Sequence, residues 1–144
     1  MQGIKFGTDG WRGIISDNFT FSNVKRVAQA IAEYYNQRTK ELNNQRTKVA
    51  VGYDTRFLSA NYAQAVSEVL ARNGIGVLLS DKPIPTPCLS FAVRHKKLTA
   101  GVMITASHNP SEYNGIKIKN ASGGAAGVEV TGGIEKLLNK AQES

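Results

Sequence analysis

The chain has 144 residues, 41% hydrophobic and 20% charged, with 18 Lys and Arg against 11 Asp and Glu, which gives a net charge of +7. That balance belongs to a globular protein rather than a disordered one, and the length suffices for one proper core, so residues 1–144 are expected to form a single domain. There is no run of eighteen apolar residues, no apolar signal after Met1, and only one cysteine, Cys88, which together exclude a membrane span and an internal disulfide and lead to a cytoplasmic protein as the expectation.

In chain order, Ile4–Phe6 reads as a short extended piece entering Gly7–Gly13, where three glycines in seven residues form a tight loop with available backbone N–H groups. Arg12 in that loop either aims its two-nitrogen fork at a phosphate or forms an ordinary surface ion pair, while Asp9 braces the turn. Ser22 is the expected N-cap of a helix with Val24, Val27, Ala28, Ile31 and Tyr35 on one face, fading into a polar connection over Asn36–Gln45. Lys48–Tyr53 reads as a strand. Asp54 and Arg56 follow at its carboxyl end, Asp54 as a structural partner for the turn and Arg56 evenly balanced between that role and the rim of a site.

Ser59 is expected to cap a helix that turns Tyr62, Val66, Val69 and Leu70 inward and is closed by Asn73-Gly74. Ile75–Leu79 is then a second buried strand. Thr86 as N-cap and Pro87 at the first helical position open a helix burying Leu89, Ala92 and Val93, with Cys88 in the core and His95 on the surface. The densest basic group, Arg94–Lys97, falls where that helix should end, and the remaining cations are scattered, which argues against a nucleic-acid tract.

Ala100–Ile104 is a short apolar run bounded by turn formers, hence a buried strand. It delivers Thr105-Ala106-Ser107-His108-Asn109-Pro110 to a strand's carboxyl end, where open α/β sheets hold ligands. Ser107 offers a hydroxyl, His108 a group that titrates near neutrality, and Asn109 local hydrogen bonds, with Pro110 stiffening the exit. Gly115–Lys119 alternates, placing Ile116 and Ile118 on one face and Lys117 and Lys119 on the other. The turn before it is too short for a crossover, so this strand should run antiparallel to its predecessor and bring one lysine to the serine loop. Ala121–Gly127 reads as a mobile connection, and Ile134, Leu137, Leu138 and Ala141 mark a terminal helix. The expected fold is α/β: a three-layer α/β/α sandwich around a mixed, mostly parallel four-stranded sheet whose last strand is antiparallel.

Two segments together carry a resemblance. Thr105–Pro110 followed by Tyr113-Asn114-Gly115-Ile116-Lys117 is similar to the phosphoserine loop of the α-D-phosphohexomutases, and Phe6–Gly13 resembles that family's opening signature. The match covers nearly the whole chain but only the first, N-terminal domain of the family's four. It implies intramolecular phosphoryl transfer that interconverts hexose 1-phosphate and 6-phosphate through a bisphosphorylated sugar. In that scheme Ser107 carries the phosphoryl group, Lys117 transfers protons, Arg12 and His108 bind phosphate and assist catalysis, and Asn109 belongs to the phosphate-binding set. Magnesium would be held by the phosphate on Ser107 together with carboxylates, and a sugar bisphosphate would act as activator. The aspartates of this chain include no Asp-x-Asp-x-Asp cluster, so the other metal ligands and the sugar-binding loops are expected in further domains of the same enzyme. Alone, the domain should be nearly inactive. A phosphoglucosamine mutase domain, a stand-alone basic anion- or nucleic-acid-binding module, and a serine hydrolase using Ser107 and His108 are the alternatives; the expected partners are a phosphorylated hexose and the enzyme's other domains, with no nucleic acid and no membrane.

Overall fold

The computed structural model describes residues 4–7, 10–42 and 46–143. The elements run β1 (Trp11–Ile14), α1 (Phe21–Leu42), β2 (Lys48–Tyr53), α2 (Ser59–Arg72), β3 (Gly76–Leu79), α3 (Thr86–His95), β4 (Ala100–Ile104), β5 (Tyr113–Lys119) and α4 (Val128–Glu143). They build one sheet in the order β1-β5-β4-β2-β3. Strands β2, β3 and β4 are parallel, and β5 is antiparallel to both of its neighbours, as its short connection to β4 requires.

Two cores flank the sheet and produce the three layers. Val49, Val51, Val102, Ile104, Ile116 and Ile118 point to one face, against α1, α2 and α4. Ala50 and Met103 point to the other, against Leu89 and Val93 of α3. The alternation along each strand thus assigns every side chain to a layer. Among the described residues α3 packs on β2 and β4, and by register Arg12, Lys117 and Lys119 lie on its side of the neighbouring β1 and β5. No helix among the described residues is long and apolar enough to cross a membrane.

The sheet has five strands where four were expected. The additional strand is the second half of the glycine-rich segment: Trp11–Ile14 pairs with β5 through Trp11–Ile116 and Arg12–Gly115, while Trp11 stacks on Phe19 at 4.7 Å. Two small or polar residues among four hid its period. Asp9 lies outside the described residues, and Ile4–Phe6 forms no strand, although Ile4 and Phe6 are buried. β3 is an edge strand rather than a buried one, with Leu78 48% and Leu79 42% exposed.

Helix starts differ by a residue or two from expectation. Thr20, not Ser22, caps α1 by accepting from the Asn23 N–H at 3.1 Å. Leu58, left-handed at φ 63, occupies the cap position of α2 with no side-chain cap bond, and the Ser59 hydroxyl is engaged with Asp54. Pro85 occupies the cap position of α3, with Thr86 already helical. α1 continues through the expected polar connection to Leu42, held by the Asn36 amide on the Asn73 carbonyl and an Arg38–Glu129 ion pair to α4; Asn43–Gln45 lie outside the described residues. Cys88 is exposed rather than buried, whereas His95 lies on the surface as expected and stacks on Phe91. The end of α2 matches expectation: Gly74 at φ 80 lets its own N–H reach the Ala71 carbonyl and the Ile75 N–H reach Leu70.

Burial pushes the phenols of Tyr35 and Tyr62 above the ordinary tyrosine value of 10.0, for Tyr35 with a further contribution from Tyr34. The folded chain therefore keeps protons that the unfolded chain releases, so this stability is complete below pH 10 and declines as pH rises beyond it. Urea unfolding midpoints are expected to fall between pH 9 and pH 11, and the Tyr35→Phe, Tyr62→Phe double variant should show a shallower decline (the pH bounds bracket roughly the phenol range). An equal decline in both proteins would assign the effect elsewhere.

Candidate active site

Beyond Ile104 the chain turns sharply. The Ser107 N–H donates to Thr105 Oγ1 at 3.0 Å, and the Asn109 N–H donates to the Ala106 carbonyl at 3.0 Å. Ser107 is held at φ 52, a left-handed conformation that costs a non-glycine residue about 1–3 kcal/mol and survives only where neighbours over-determine it. The neighbours are Asp54 and Arg56, at the carboxyl end of β2. Asp54 Oδ2 accepts from Thr105 Oγ1 at 2.6 Å, and its Oδ1 accepts from Ser59 Oγ and the Arg56 N–H at 2.9 and 3.0 Å. The structural role read for Asp54 is what the geometry shows.

Lys117 sits opposite Met103 in the β4–β5 ladder, one position from the buried Ile116 and Ile118. Its side chain therefore leaves the sheet on the α3 side, and Nζ donates to Ser107 Oγ at 2.7 Å. Ser107 and Lys117 are both half-buried, so the pair is reachable from solvent. Arg12 arrives from β1, and its Nη1 donates to Asn109 Oδ1. Its Nε is buried with no acceptor among the described residues, leaving an unspent donor beside the loop. Arg12 passes over Gly115, where an added Cβ would lie 2.6 Å from the Trp11 carbonyl oxygen and 2.7 Å from that of Thr105. Glycine is what allows three strands to close here.

Of the expected site residues, Ser107, Lys117, Arg12 and Asn109 are thus brought together. His108 is exposed and forms no hydrogen bond among the described residues. Sequence reasoning missed Asn114, wholly buried, whose amide donates to Ser59 Oγ at 2.9 Å and whose Oδ1 accepts from the Gly115 N–H at 2.8 Å. The signal was present: Asn114 shares the parity of Ile116 and Ile118, so a polar residue stood where the period demanded an apolar one.

Among the described residues no three His, Cys, Asp or Glu side chains gather to hold a metal. Magnesium asks for near-octahedral oxygen ligation. The residues present do not build such a site on their own. The cleft beside Lys117, bounded by Gly7, Gly10, Lys119 and Thr131, measures about 100 Å³. Ligand pockets begin near roughly 300 Å³, so this cleft does not enclose a sugar.

Comparison with known proteins places these features. The family described as "Phosphoglucomutase/phosphomannomutase, alpha/beta/alpha domain I" matches residues 3–144. A phosphoglucomutase of Staphylococcus saprophyticus is 42% identical over 139 residues, covering 94% of this chain and 24% of that protein. A solved structure from Thermus thermophilus, assigned as a phosphomannomutase, superposes with a TM-score of 0.88 at 45% identity, covering 95% of this chain and 30% of that one. The Paramecium phosphoglucomutase parafusin gives a TM-score of 0.81 at 25% identity, over 97% of this chain and 26% of its own. The chain thus spans about a quarter of the length of the curated relatives it matches. On its sequence and its fold alike, the chain belongs to the phosphoglucomutase/phosphomannomutase family, as the alpha/beta/alpha domain I.

Proposed function

We propose that this chain is the phosphoserine-bearing domain of a cytoplasmic phosphohexomutase, N-terminal among four domains, which interconverts hexose 1-phosphate and 6-phosphate through a sugar bisphosphate. The observation that carries the reading is the 2.7 Å hydrogen bond from Lys117 Nζ to Ser107 Oγ. As the phosphoryl group leaves Ser107 for a sugar hydroxyl, the P–Oγ bond breaks, the sugar O–P bond forms, the Lys117 ammonium delivers a proton to Oγ, and the hydroxyl passes its own proton to solvent, which reprotonates the other sugar oxygen when that oxygen loses its phosphate in the return step. In the return step, neutral Lys117 receives the Ser107 proton as Oγ takes the other phosphate from the bisphosphate. Phosphoryl transfer leaves little covalent work to a protein, so positioning and charge dominate. Arg12 supplies both: its Nη1 fixes Asn109, and its guanidinium places a positive charge beside the serine loop.

His108 remains a candidate phosphate ligand because it is exposed beside Ser107 with no competing partner among the described residues. In a mutase, magnesium would neutralise the transferring phosphate, its carboxylate ligands coming from outside this chain. The serine-hydrolase alternative loses ground, since Lys117 rather than His108 contacts the Ser107 hydroxyl.

A coupled assay with hexose 1-phosphate, magnesium and a hexose bisphosphate tests the reading. The enzyme that carries this domain is expected to form hexose 6-phosphate, and the 144-residue chain alone to show no turnover. Turnover by the chain alone, abolished by Ser107→Ala, would show that no other domain is needed. Steeply salt-dependent DNA binding that ignores Ser107→Ala would favour the basic-module alternative.

A further inference from the structure

Arg56 lies three residues beyond the end of β2, and its side chain is only 14% exposed. Its Nη1 donates to the carbonyls of Pro110 and Tyr113 at 2.8 and 3.0 Å, and its Nη2 to those of Ser107 and Asn109 at 2.8 and 2.7 Å. Its Nε faces Asp54 Oδ2 at 3.5 Å. One cation therefore gathers four main-chain carbonyls from both limbs of the serine loop, two before Pro110 and two from Pro110 onward.

That arrangement has two physical consequences. Carbonyl oxygens carry the negative end of the peptide dipole, so any that turned toward a phosphate on Ser107 would repel it; collected on Arg56, they are occupied elsewhere. Charge-assisted bonds are also the stronger class, and four of them over-determine the left-handed φ 52 of Ser107. Two separate nitrogens are needed, each serving two acceptors, so a lysine does not reproduce the grip. All four acceptors are backbone, and none of these bonds reaches the Ser107 hydroxyl itself.

We propose that Arg56 is a positioning residue for phosphoryl transfer, holding Ser107 Oγ against Lys117 by gripping the carbonyls of Ser107, Asn109, Pro110 and Tyr113. The transfer rests on the function proposed above; the grip does not. The test is NMR on the isotopically labelled chain, following the Lys117 ammonium resonance and the amide exchange of residues 105–113. Ser107→Ala sets the reference for a Lys117 without the Ser107 contact.

Arg56→Ala and Arg56→Lys are both expected to move the Lys117 resonance to the Ser107→Ala position. Loop amides should exchange about tenfold faster or more, from the loss of bonds to a charged group, while β2 and β4 amides stay within about twofold. Added guanidinium should restore the Lys117 signal in Arg56→Ala. Should that variant not fold, Arg56→Lys carries the same readings. A Lys117 resonance unchanged in both variants would overturn the proposal. So would loosening of β2 and β4 together with the loop, which marks a merely structural residue. A Ser107→Ala spectrum identical to that of the unmodified chain would remove the contact on which the proposal stands. A mutase that never carries phosphate on Ser107 would sink the function while leaving these results standing.

Discussion

Replacing Ser107 by alanine is expected to lower turnover of the enzyme carrying this domain by roughly ten-thousand-fold or more, the scale on which losing a covalent nucleophile acts. That corresponds to on the order of 5–6 kcal/mol of transition-state stabilisation. The hydroxyl two residues away offers no replacement store for the phosphoryl group: Thr105 Oγ1 is committed to Asp54 at 2.6 Å, and it lies within a buried residue. Thermal unfolding separates this from damage to the fold. Alanine inherits the left-handed φ 52 with its Cβ penalty, whereas Ser107→Gly escapes it. The glycine variant should therefore be more stable than the alanine variant by about 1 kcal/mol and equally inactive. Residual turnover near the unmodified level in either variant would remove Ser107 from the chemistry.

Gly115→Ala is expected to have the largest effect on the fold. The new methyl would meet two backbone oxygens, of Trp11 at 2.6 Å and Thr105 at 2.7 Å, and neither is the free end of a flexible side chain. Relief requires β1 or the exit of β4 to move away from β5. Overpacking of this kind costs about 3 kcal/mol at the upper end of its usual range. For a chain of this length that lowers Tm by roughly 6–12 °C. Gly74→Ala is the internal comparison, because Gly74 has φ 80 and nothing within 4 Å of an added Cβ. It should cost only the conformational penalty of about 1 kcal/mol. Equal losses at the two positions would mean that the strand contact at Gly115 relaxes freely. Since Trp11 precedes Arg12 and Thr105 begins the serine loop, Gly115→Ala should also impair turnover beyond its effect on folding.

How far the site could be read from the sequence depended on which physical signal each residue carried. Period-2 alternation and a short turn brought one of Lys117 and Lys119 to the serine loop, and only the resemblance singled out Lys117. Ser107 was legible as the polar exit of an apolar strand, and Arg12 joined its site only by resemblance, with nothing in the sequence to show that it reaches the loop through Asn109. β1 was not legible, since Trp-Arg-Gly-Ile reads equally as a loop, and its pairing with β5 is accompanied by a long-range feature the pattern does not carry, Trp11 stacked on Phe19. The caps at Ser22, Ser59 and Thr86 were misplaced because Ser and Thr serve caps, turns and side-chain networks alike. At Ser59 the network with Asp54 and Asn114 prevailed. Arg56 was legible as a residue of the turn or the site's rim, but its grip was not: its four partners are backbone carbonyls, which every residue possesses. Even the burial of β3 was misjudged, since an apolar run does not say whether a strand ends up at an edge.

The proposed chemistry stands or falls with the Ser107 hydroxyl as a reversible store for a phosphoryl group, Lys117 exchanging its proton. Intact mass spectrometry with phosphosite mapping, applied to the purified enzyme that carries this domain, reads that store without an intermediary. A single phosphate is expected on Ser107, discharged when excess hexose monophosphate is added and absent from Ser107→Ala. A phosphate mapped to another residue, or turnover that continues while Ser107 is never phosphorylated, would contradict it.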